Sequence, residues 1–173
     1  MGKLIIICGL PFSGKTTLGK AIACRFGHDE VDVDDVKGEM FATSIDDNAL
    51  SRSDWTRLYE NADRIIEDLL HQGKTVLDAS RNFRRNEREL ARKIAEKANA
   101  LLVTIHVDTP ENVVRERWLA NRRSPTRRDI QDGDFENAIR AMEAPTPEET
   151  PLVFRPRDET EAWITRYETV LGA

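Results

Sequence analysis

Eight residues near the N-terminus have the types and spacing that bind phosphate. Gly9 and Gly14 are separated by four residues, Lys15 and Thr16 follow, and the apolar run 4–8 stands before them. The glycines allow backbone amides to converge on an anion, and a helix starting near Lys15 directs its positive end there. Lysine supplies a cation for the β- and γ-phosphates of ATP, and the threonine hydroxyl is a ligand for Mg²⁺. The candidate nucleotide contacts are Gly9, Pro11, Phe12, Ser13, Gly14, Lys15, Thr16 and Thr17.

Carboxylates follow the next two apolar runs, at 31–33 and 75–77, which we expect to be strands. Asp78 is predicted to orient Mg²⁺ together with Thr16, because ligands bind beyond the carboxyl ends of parallel strands. Asp34 is a candidate general base for an acceptor hydroxyl, and Lys37 a candidate acceptor contact. The alternatives are an acidic surface turn around Asp34 and a structural cap at Asp78.

Two absences narrow the class of nucleotide-binding protein. Motor ATPases usually place a water-activating glutamate directly after the strand-end aspartate, whereas Ala79 stands at that position here. The sequence also lacks an Asn-Lys-x-Asp guanine signature. Both observations disfavour motor ATPases and GTP-binding switches.

Arginines are concentrated in two stretches. Those at 122–133 suggest a lid, in which Arg122, aided by Arg117 on the preceding helix, would stabilise charge on the transferred phosphoryl group or contact the nucleotide. The other candidate lid arginines are Arg123, Arg127 and Arg128. In the second stretch, 81–93, Arg81 is a candidate acceptor contact, although ion pairs with nearby glutamates would equally explain this cluster.

Helical and strand periodicities alternate along the chain and predict one α/β domain over 1–173. We expect a three-layer fold, with about five parallel strands and helices on both faces. The predicted strands are 4–8, 31–33, 75–77, 101–107 and 152–154. The predicted helices cover 16–26, 53–72, 86–98, 110–121, 134–143 and a final segment from 158, with a short helix within 36–52. The expected caps are Ser53, Thr109 and Asp158, and Leu90 is expected to face the core.

Composition limits the partners and the compartment. A net charge of −5 argues against a protein that coats long nucleic acids, which requires a broad basic surface. No apolar run approaches the roughly 18 residues of a membrane span, so the cytoplasm is the expected location. Cys8 and Cys24 are expected to be buried and unpaired. The oligomeric state stays open.

With these residues in place, the chain resembles a group of small, AAA-type ATPase-like P-loop kinases. The group is related to the kinase domain of phage polynucleotide kinase, and more distantly to zeta toxins and chloramphenicol phosphotransferase. The matching segments, within about residues 3–154, are 9–17, 33–37, 76–85 and 108–122. The resemblance implies Asp34 as the base, while Lys37 stands where the polynucleotide kinases carry an arginine, which weakens bidentate phosphate binding.

Three functions are compatible with these features. The first is an ATP- and Mg²⁺-dependent kinase acting on a hydroxyl of a small molecule, which the acidic composition favours. The second is a 5′-hydroxyl polynucleotide kinase acting on a nucleic-acid end. The third is a nucleotide-binding switch or partner-binding module without transfer activity.

Overall fold

The fold of the protein was examined in a computed structural model that describes residues 1–41, 47–126 and 129–172. Five parallel strands form one sheet in the order β2-β3-β1-β4-β5. The strands are β1 Lys3–Cys8, β2 Asp29–Glu30, β3 Thr75–Asp78, β4 Leu101–Val107 and β5 Leu152–Phe154. This arrangement confirms the expected parallel α/β fold.

Helices cover both faces of the sheet, as expected for three layers. The helices are α1 Lys15–Phe26, α2 Val33–Met40, α3 Arg52–His71, α4 Arg85–Lys97, α5 Glu111–Arg123, α6 Asp132–Ala141, α7 Thr160–Arg166 and α8 Glu168–Leu171, with 3₁₀ turns at Asp47–Ala49 and Pro147–Glu149. Alternation along β1 separates the layers, because successive side chains point to opposite faces. Leu4 and Ile6 pack with α2, α3 and α4, whereas Ile5 and Ile7 pack with α1, α7 and α8.

A third apolar cluster lies beside the sheet and joins α5 and α6 to the loop after β1. Phe12 from that loop, Trp118 from α5 and Phe135 from α6 are its large members. The rings of Trp118 and Phe135 stack with centroids 4.1 Å apart, and Phe12 meets Phe135 edge-on at 6.3 Å. The glycine loop is therefore packed directly against the region that we expected to form the lid.

The predicted second strand at 31–33 is wrong. β2 is the pair Asp29–Glu30, and Val33 already begins α2. The cause is local: the Asp32 carboxylate accepts a hydrogen bond from the Asp34 amide at 2.8 Å and caps the helix. Asp34 and Asp35 consequently lie in the first turn of α2 instead of at a strand end.

Several helix ends differ from expectation by one or a few residues. Ser51, and not Ser53, caps α3 through a capping box with Asp54. Pro110 precedes α5, so Thr109 lies outside that helix. Glu159 replaces Asp158 as the cap of the final helical segment, which breaks at Tyr167 into α7 and α8.

Two predicted core positions are on the surface. Leu90 of α4 is 46% exposed, because Arg88, Ala91 and Ile94 form the inward face of that helix. Cys24 is also exposed, whereas Cys8 is buried as expected, and neither forms a disulfide. Across the described residues, no helix is both long and apolar enough to span a membrane.

Candidate functional site

The loop between β1 and α1 adopts a backbone path that requires glycine at two points. Gly9 has φ 149° and Gly14 has φ 110°, both in the region that side chains disfavour. A Cβ at Gly9 would lie 2.7 Å from the Val107 carbonyl oxygen, which no side chain could accommodate. Gly14 immediately precedes α1, so the positive end of this helix faces the loop. Phe12 also has positive φ, at 61°, and is held there by its packing against Phe135.

Lys15 lies over the loop that precedes it. Its ammonium donates to the carbonyl oxygens of Gly9 at 2.9 Å and Leu10 at 3.0 Å. The Phe83 ring, which comes from the segment after β3, lies 4.9 Å from the same nitrogen. The predicted phosphate-binding lysine is therefore in position at the loop, with an aromatic ring beside it.

Side chains from outside the loop hold its carbonyl groups. Arg117 of α5 donates from Nη1 to the carbonyl oxygens of Phe12 at 3.1 Å and Ser13 at 2.9 Å. The Thr109 hydroxyl donates to the same Ser13 oxygen at 3.0 Å. Donors from outside the loop therefore occupy the carbonyl oxygens of Phe12 and Ser13. Arg117 thus fixes the loop, in agreement with its expected place on the helix.

The Ser13 hydroxyl is a buried polar group of this loop. Its oxygen has no hydrogen-bond partner among the described residues, although Ser13 is only 4% exposed. Buried hydroxyls normally have a partner, and leaving one unpaired costs about 1–3 kcal/mol. A phosphate oxygen in the loop would provide an acceptor for it.

An open cleft of about 680 Å³ extends from the loop between α5 and the segment after β5. Phe12, Ser13, Gly14 and Thr17 form its floor together with Arg117. Its other walls come from residues that the sequence reasoning did not select, namely Asn121, Thr126, Phe154, Pro156, Asp158 and Thr160. The signal was available: residues after β5 also lie at the carboxyl edge of the sheet, where only the first three strands were considered.

Thr16 faces a smaller cavity together with acidic residues of the β2–α2 region. Asp32, Asp35 and Glu30 line this cavity of about 130 Å³ with Thr16. Among the described residues, no group of three His, Cys, Asp or Glu side chains converges tightly enough to hold a metal alone. Mg²⁺ typically uses one or two carboxylates plus waters and substrate phosphates. A hydroxyl beside two carboxylates fits that requirement.

The pKa of the Asp32 carboxyl, at this edge of the sheet, is raised above its usual value. Burial raises its pKa, and the nearby carboxylates of Asp34, Asp35 and Asp78 raise it further, although the hydrogen bond from the Asp34 amide acts in the opposite direction. A cation beside Asp32 would offset both the cost of burying the ionised carboxylate and its repulsion by the neighbouring carboxylates.

Asp78, the other predicted metal ligand, lies in a different cavity from Thr16. Its carboxylate is buried and accepts hydrogen bonds from the Ser80 amide and hydroxyl, Arg81 Nε at 3.0 Å and Asn82 Nδ2 at 3.2 Å. The structure therefore engages Asp78 in organising the segment after β3. Arg81, the predicted acceptor contact, also donates to Asp63 at 2.6 Å.

Asp34 and Lys37, the predicted acceptor-side pair, lie together on α2. Lys37 Nζ is 3.5 Å from Asp34 Oδ1 and 2.7 Å from Asp47 Oδ1. The Asp34 side chain is 76% exposed, whereas that of Lys37 is buried. The Asp34 carboxylate is therefore accessible to solvent, and the Lys37 ammonium lies beside one of its oxygens.

Arg122 lies on the cluster of α5 and α6 instead of in the nucleotide cleft. Its guanidinium pairs with Asp129 at 3.3 Å and Asp132 at 2.5 Å, and its Cζ lies 4.3 Å from the centre of the Trp118 ring. These contacts secure the start of α6. Of the other predicted lid arginines, Arg123 is exposed at the end of α5, and Arg127 and Arg128 fall outside the described residues.

The AAA domain family matches residues 4–145. The chain belongs to this family. A comparison with curated protein sequences found no match.

Several solved structures share the fold of this chain. A Chloroflexus aurantiacus protein provisionally described as a kinase has a TM-score of 0.77 and 23% identity, over 98% of this chain and 96% of that chain. Kti12 from Chaetomium thermophilum, solved with ADP-AlF₃, has a TM-score of 0.78 and 15% identity, over 98% and 100%. The Mycobacterium tuberculosis APS kinase, solved with AMPPNP and APS, has a TM-score of 0.69 and 18% identity, over 98% and 97%. The small P-loop kinase-like family suggested by the sequence is thereby confirmed at the level of fold.

Proposed function

We propose that this AAA-domain protein is a kinase that transfers the γ-phosphoryl group of ATP to a hydroxyl of a small molecule. One arrangement carries the proposal: the surroundings of Lys15 connect two cavities of different character. Lys15 follows Gly14, which lines the open cleft, and its ammonium lies 4.9 Å from the centre of the Phe83 ring, which lines a second cavity. A nucleotide site and a separate acceptor site close to the same cation would suit phosphoryl transfer between two bound molecules.

The P-loop residues would bind and position ATP. Backbone amides between Gly9 and Lys15, the unpaired Ser13 hydroxyl and the Lys15 ammonium surround the β- and γ-phosphates. In this role Lys15 exchanges its bonds to the loop carbonyls for bonds to phosphate. Arg117 keeps the loop in its phosphate-binding shape and lies in the cleft beside it.

Asp34 is the proposed proton acceptor for the transfer. The acceptor oxygen forms a bond to the γ-phosphorus while the bond to the oxygen bridging the β- and γ-phosphorus atoms breaks, and ADP leaves. The hydroxyl proton passes to the Asp34 carboxylate and from there to solvent. Lys37 Nζ, 3.5 Å from Asp34 Oδ1, would orient this carboxylate.

Thr16 and the Asp32 and Asp35 carboxylates would hold Mg²⁺, directly or through water. When bound, the ion would neutralise charge on the phosphates. Asp32 and Thr16 would place the positive charge of the ion at the start of α1, next to the phosphate-binding amides. Asp78 would act on the other side, by positioning Arg81 and the segment that carries Phe83.

The test is transfer of labelled γ-phosphate from ATP to a panel of acceptors: sugars, nucleosides, amino alcohols and 5′-hydroxyl oligonucleotides. We expect labelled small molecules with the parent protein and none with Lys15→Ala. Asp34→Asn should reduce turnover by about 10²-fold or more, the usual contribution of a general base, while leaving ATP affinity unchanged.

Two outcomes would contradict the proposal. Labelling of oligonucleotides alone would make the protein a polynucleotide kinase. Tight ATP binding with no labelled acceptor would indicate a nucleotide-binding module instead. An Asp34→Asn variant with the parent rate would remove Asp34 from the mechanism.

A further inference from the structure

A cavity of about 220 Å³ lies between α3 and α4, on the face of the sheet opposite α1. Its walls are apolar, and the members that define them are Leu4, Ile66, Phe83, Ala91 and Ile94. Tyr59 and Leu90, which are 41% and 46% exposed, line its outer part. The cavity is thus accessible from solvent between the two helices.

One end of this cavity is polar and carries more negative than positive charge. Arg81 is held there between Asp78 and Asp63, so its single positive charge is shared by two carboxylates. Glu87 lines the same cavity and accepts a hydrogen bond from the Arg84 amide. Burial raises the pKa of Asp63 even beside Arg81, which indicates a poorly solvated carboxylate. An additional cation would be stabilised at this end, and an anion would be repelled.

The polar end lies beside the proposed phosphoryl donor site. Phe83 forms a wall of the cavity, and its ring is 4.9 Å from Lys15 Nζ. Asp78, which lines the cavity, pairs in register with Ile6, only three residues before Gly9. Carboxylates of α2 and of the 3₁₀ turn Asp47–Ala49 stand near the outer part. Asp34 and Asp47 both contribute to the raised pKa of Tyr59, which burial mainly causes.

We propose that the α3–α4 cavity binds the phosphoryl acceptor, and that this acceptor is a hydroxyl compound with a compact apolar body and an ammonium group. This inference rests on the proposed kinase activity and names its substrate class. The apolar walls provide no hydrogen bonds for the many hydroxyls of a sugar, and leaving such groups unpaired is costly. The excess of carboxylates disfavours phosphorylated or carboxylated acceptors.

The volume limits the size of that body. A cavity of about 150 Å³ holds one benzene molecule. The α3–α4 cavity, at about 220 Å³, therefore fits a phenyl-sized group with a short chain. The hydroxyl and the ammonium would lie at the polar end, near Phe83 and the carboxylates.

Binding of three matched probes tests the proposal without ATP. They are 2-amino-3-phenyl-1-propanol, 3-phenyl-1,2-propanediol and 3-phenyllactate, which share the ring and a hydroxyl but are cationic, neutral and anionic. Titration calorimetry should give affinities in that order, with the cation at least about tenfold tighter than the anion, as one charge interaction near a protein surface can supply. Glucose should not bind measurably.

Two substitutions assign the binding to this cavity. Ala91→Phe fills the cavity and should abolish binding of all probes, whereas Ala162→Phe, on the exposed surface of α7, should leave it unchanged. If Ala91→Phe does not fold, Leu90→Trp at the exposed edge of the cavity replaces it. Glu87→Gln keeps the helix-capping bond and should reduce the preference for the cation over the anion.

Equal binding of cation and anion, or binding that survives the filled cavity, would overturn the proposal. These results are separable from the kinase activity, since no ATP is used. If labelled phosphate were transferred to a sugar by both the parent and Ala91→Phe, the kinase proposal would stand and the acceptor proposal would fall. If the probes bound as expected and no acceptor were ever labelled, the cavity would be a ligand site and the kinase proposal would fall.

Discussion

The Asp32 carboxylate caps α2 and also lines the cavity beside Thr16, so one side chain links local folding to the proposed metal site. Its pKa is raised by burial first and then by the carboxylates around it. The folded state therefore holds the Asp32 proton more tightly than the unfolded state does. The free energy of unfolding must fall as the pH rises through the raised pKa.

We predict that Asp32→Asn raises the melting temperature near neutral pH. Asparagine is as effective a helix cap as aspartate, so α2 should be preserved while the partly buried negative charge is removed. The gain should shrink as the pH falls through the raised pKa of Asp32, because the parent carboxyl then becomes protonated. Thermal unfolding at several pH values measures it, and ATP turnover in the same variant should require more Mg²⁺.

Asp35→Asn is the matched control, because Asp35 is exposed in the first turn of the same helix. Losing a negative charge at a helix start costs about 0.3–1 kcal/mol. This control should therefore lower the melting temperature slightly, with the opposite sign to Asp32→Asn. A lower melting temperature for both variants would contradict the burial of an unfavourable charge at Asp32.

Residue types and spacing predicted the geometry of the glycine loop better than the contacts of Asp78 and Arg81. The glycines and Lys15 act through the backbone next to them, so the sequence contains most of the relevant geometry. Arg81, by contrast, is held between Asp78 and Asp63, and Asp63 lies on α3. Nothing in the local sequence indicates that pairing, and it changes what both residues can do.

At the scale of elements, α4 is joined to the segment before β5 by a buried ion pair. Arg88 is 2% exposed and donates to both Glu149 oxygens, at 2.6 and 3.1 Å. It also donates to the Glu143 carbonyl oxygen at 2.8 Å. Weaker bonds at 3.4 Å reach the carbonyl oxygens of Asn82 and Phe83, so the pair also supports the segment beside Lys15.

We predict that Arg88→Met lowers the free energy of unfolding by about 3–5 kcal/mol, because the largely buried Glu149 carboxylate loses its cationic partner and keeps the hydrogen bond from the Thr146 amide. The double variant Arg88→Met, Glu149→Leu should recover part of that loss. Recovery should be incomplete, since three backbone carbonyls still lack the Arg88 donor. Urea denaturation of both variants measures this, and a single variant as stable as the parent would contradict it.

The boundaries of strongly apolar strands were predicted well. Those of segments in which a helix cap competes with strand formation were predicted less well. The bounds 101–107 and 152–154 are those of β4 and β5. The run 31–33 has strand-forming residues, but the hydrogen bond that the Asp32 carboxylate accepts from the Asp34 amide favours a helix there. The burial of Arg88 could not be predicted from helical periodicity, because its partner Glu149 is 61 residues away.

For the whole molecule, the three layers could be predicted from the alternation of helices and strands, but the connection between the P-loop and α6 could not. It depends on Phe12, Trp118 and Phe135, which are distant in sequence. Phe135 is fully buried between the other two rings. The conformation of the loop at Phe12, with its positive φ, should therefore depend on the docking of α6.

We predict that Phe135→Ala weakens ATP binding as well as stability. Removing the ring should cost about 3–5 kcal/mol of stability and release Phe12 from its strained conformation. Hydrogen exchange should then increase in 9–14 and 132–141, with less change in β5 and α7. A rise in KM for ATP with a smaller change in kcat should accompany it.

Leu58→Ala separates this local effect from a general loss of stability. Leu58 is fully buried in α3, in the helical layer on the face of the sheet opposite α1. Its replacement by alanine should lower the free energy of unfolding by a comparable amount, about 2–5 kcal/mol. It should destabilise the protein without selectively increasing exchange at 9–14. If Phe135→Ala left exchange in the P-loop and the KM for ATP unchanged, the aromatic cluster would be a structural contact alone. If both moved as expected, α6 would control the shape of the phosphate site through Phe12, which accounts for a bulky residue in a loop position that otherwise favours glycine.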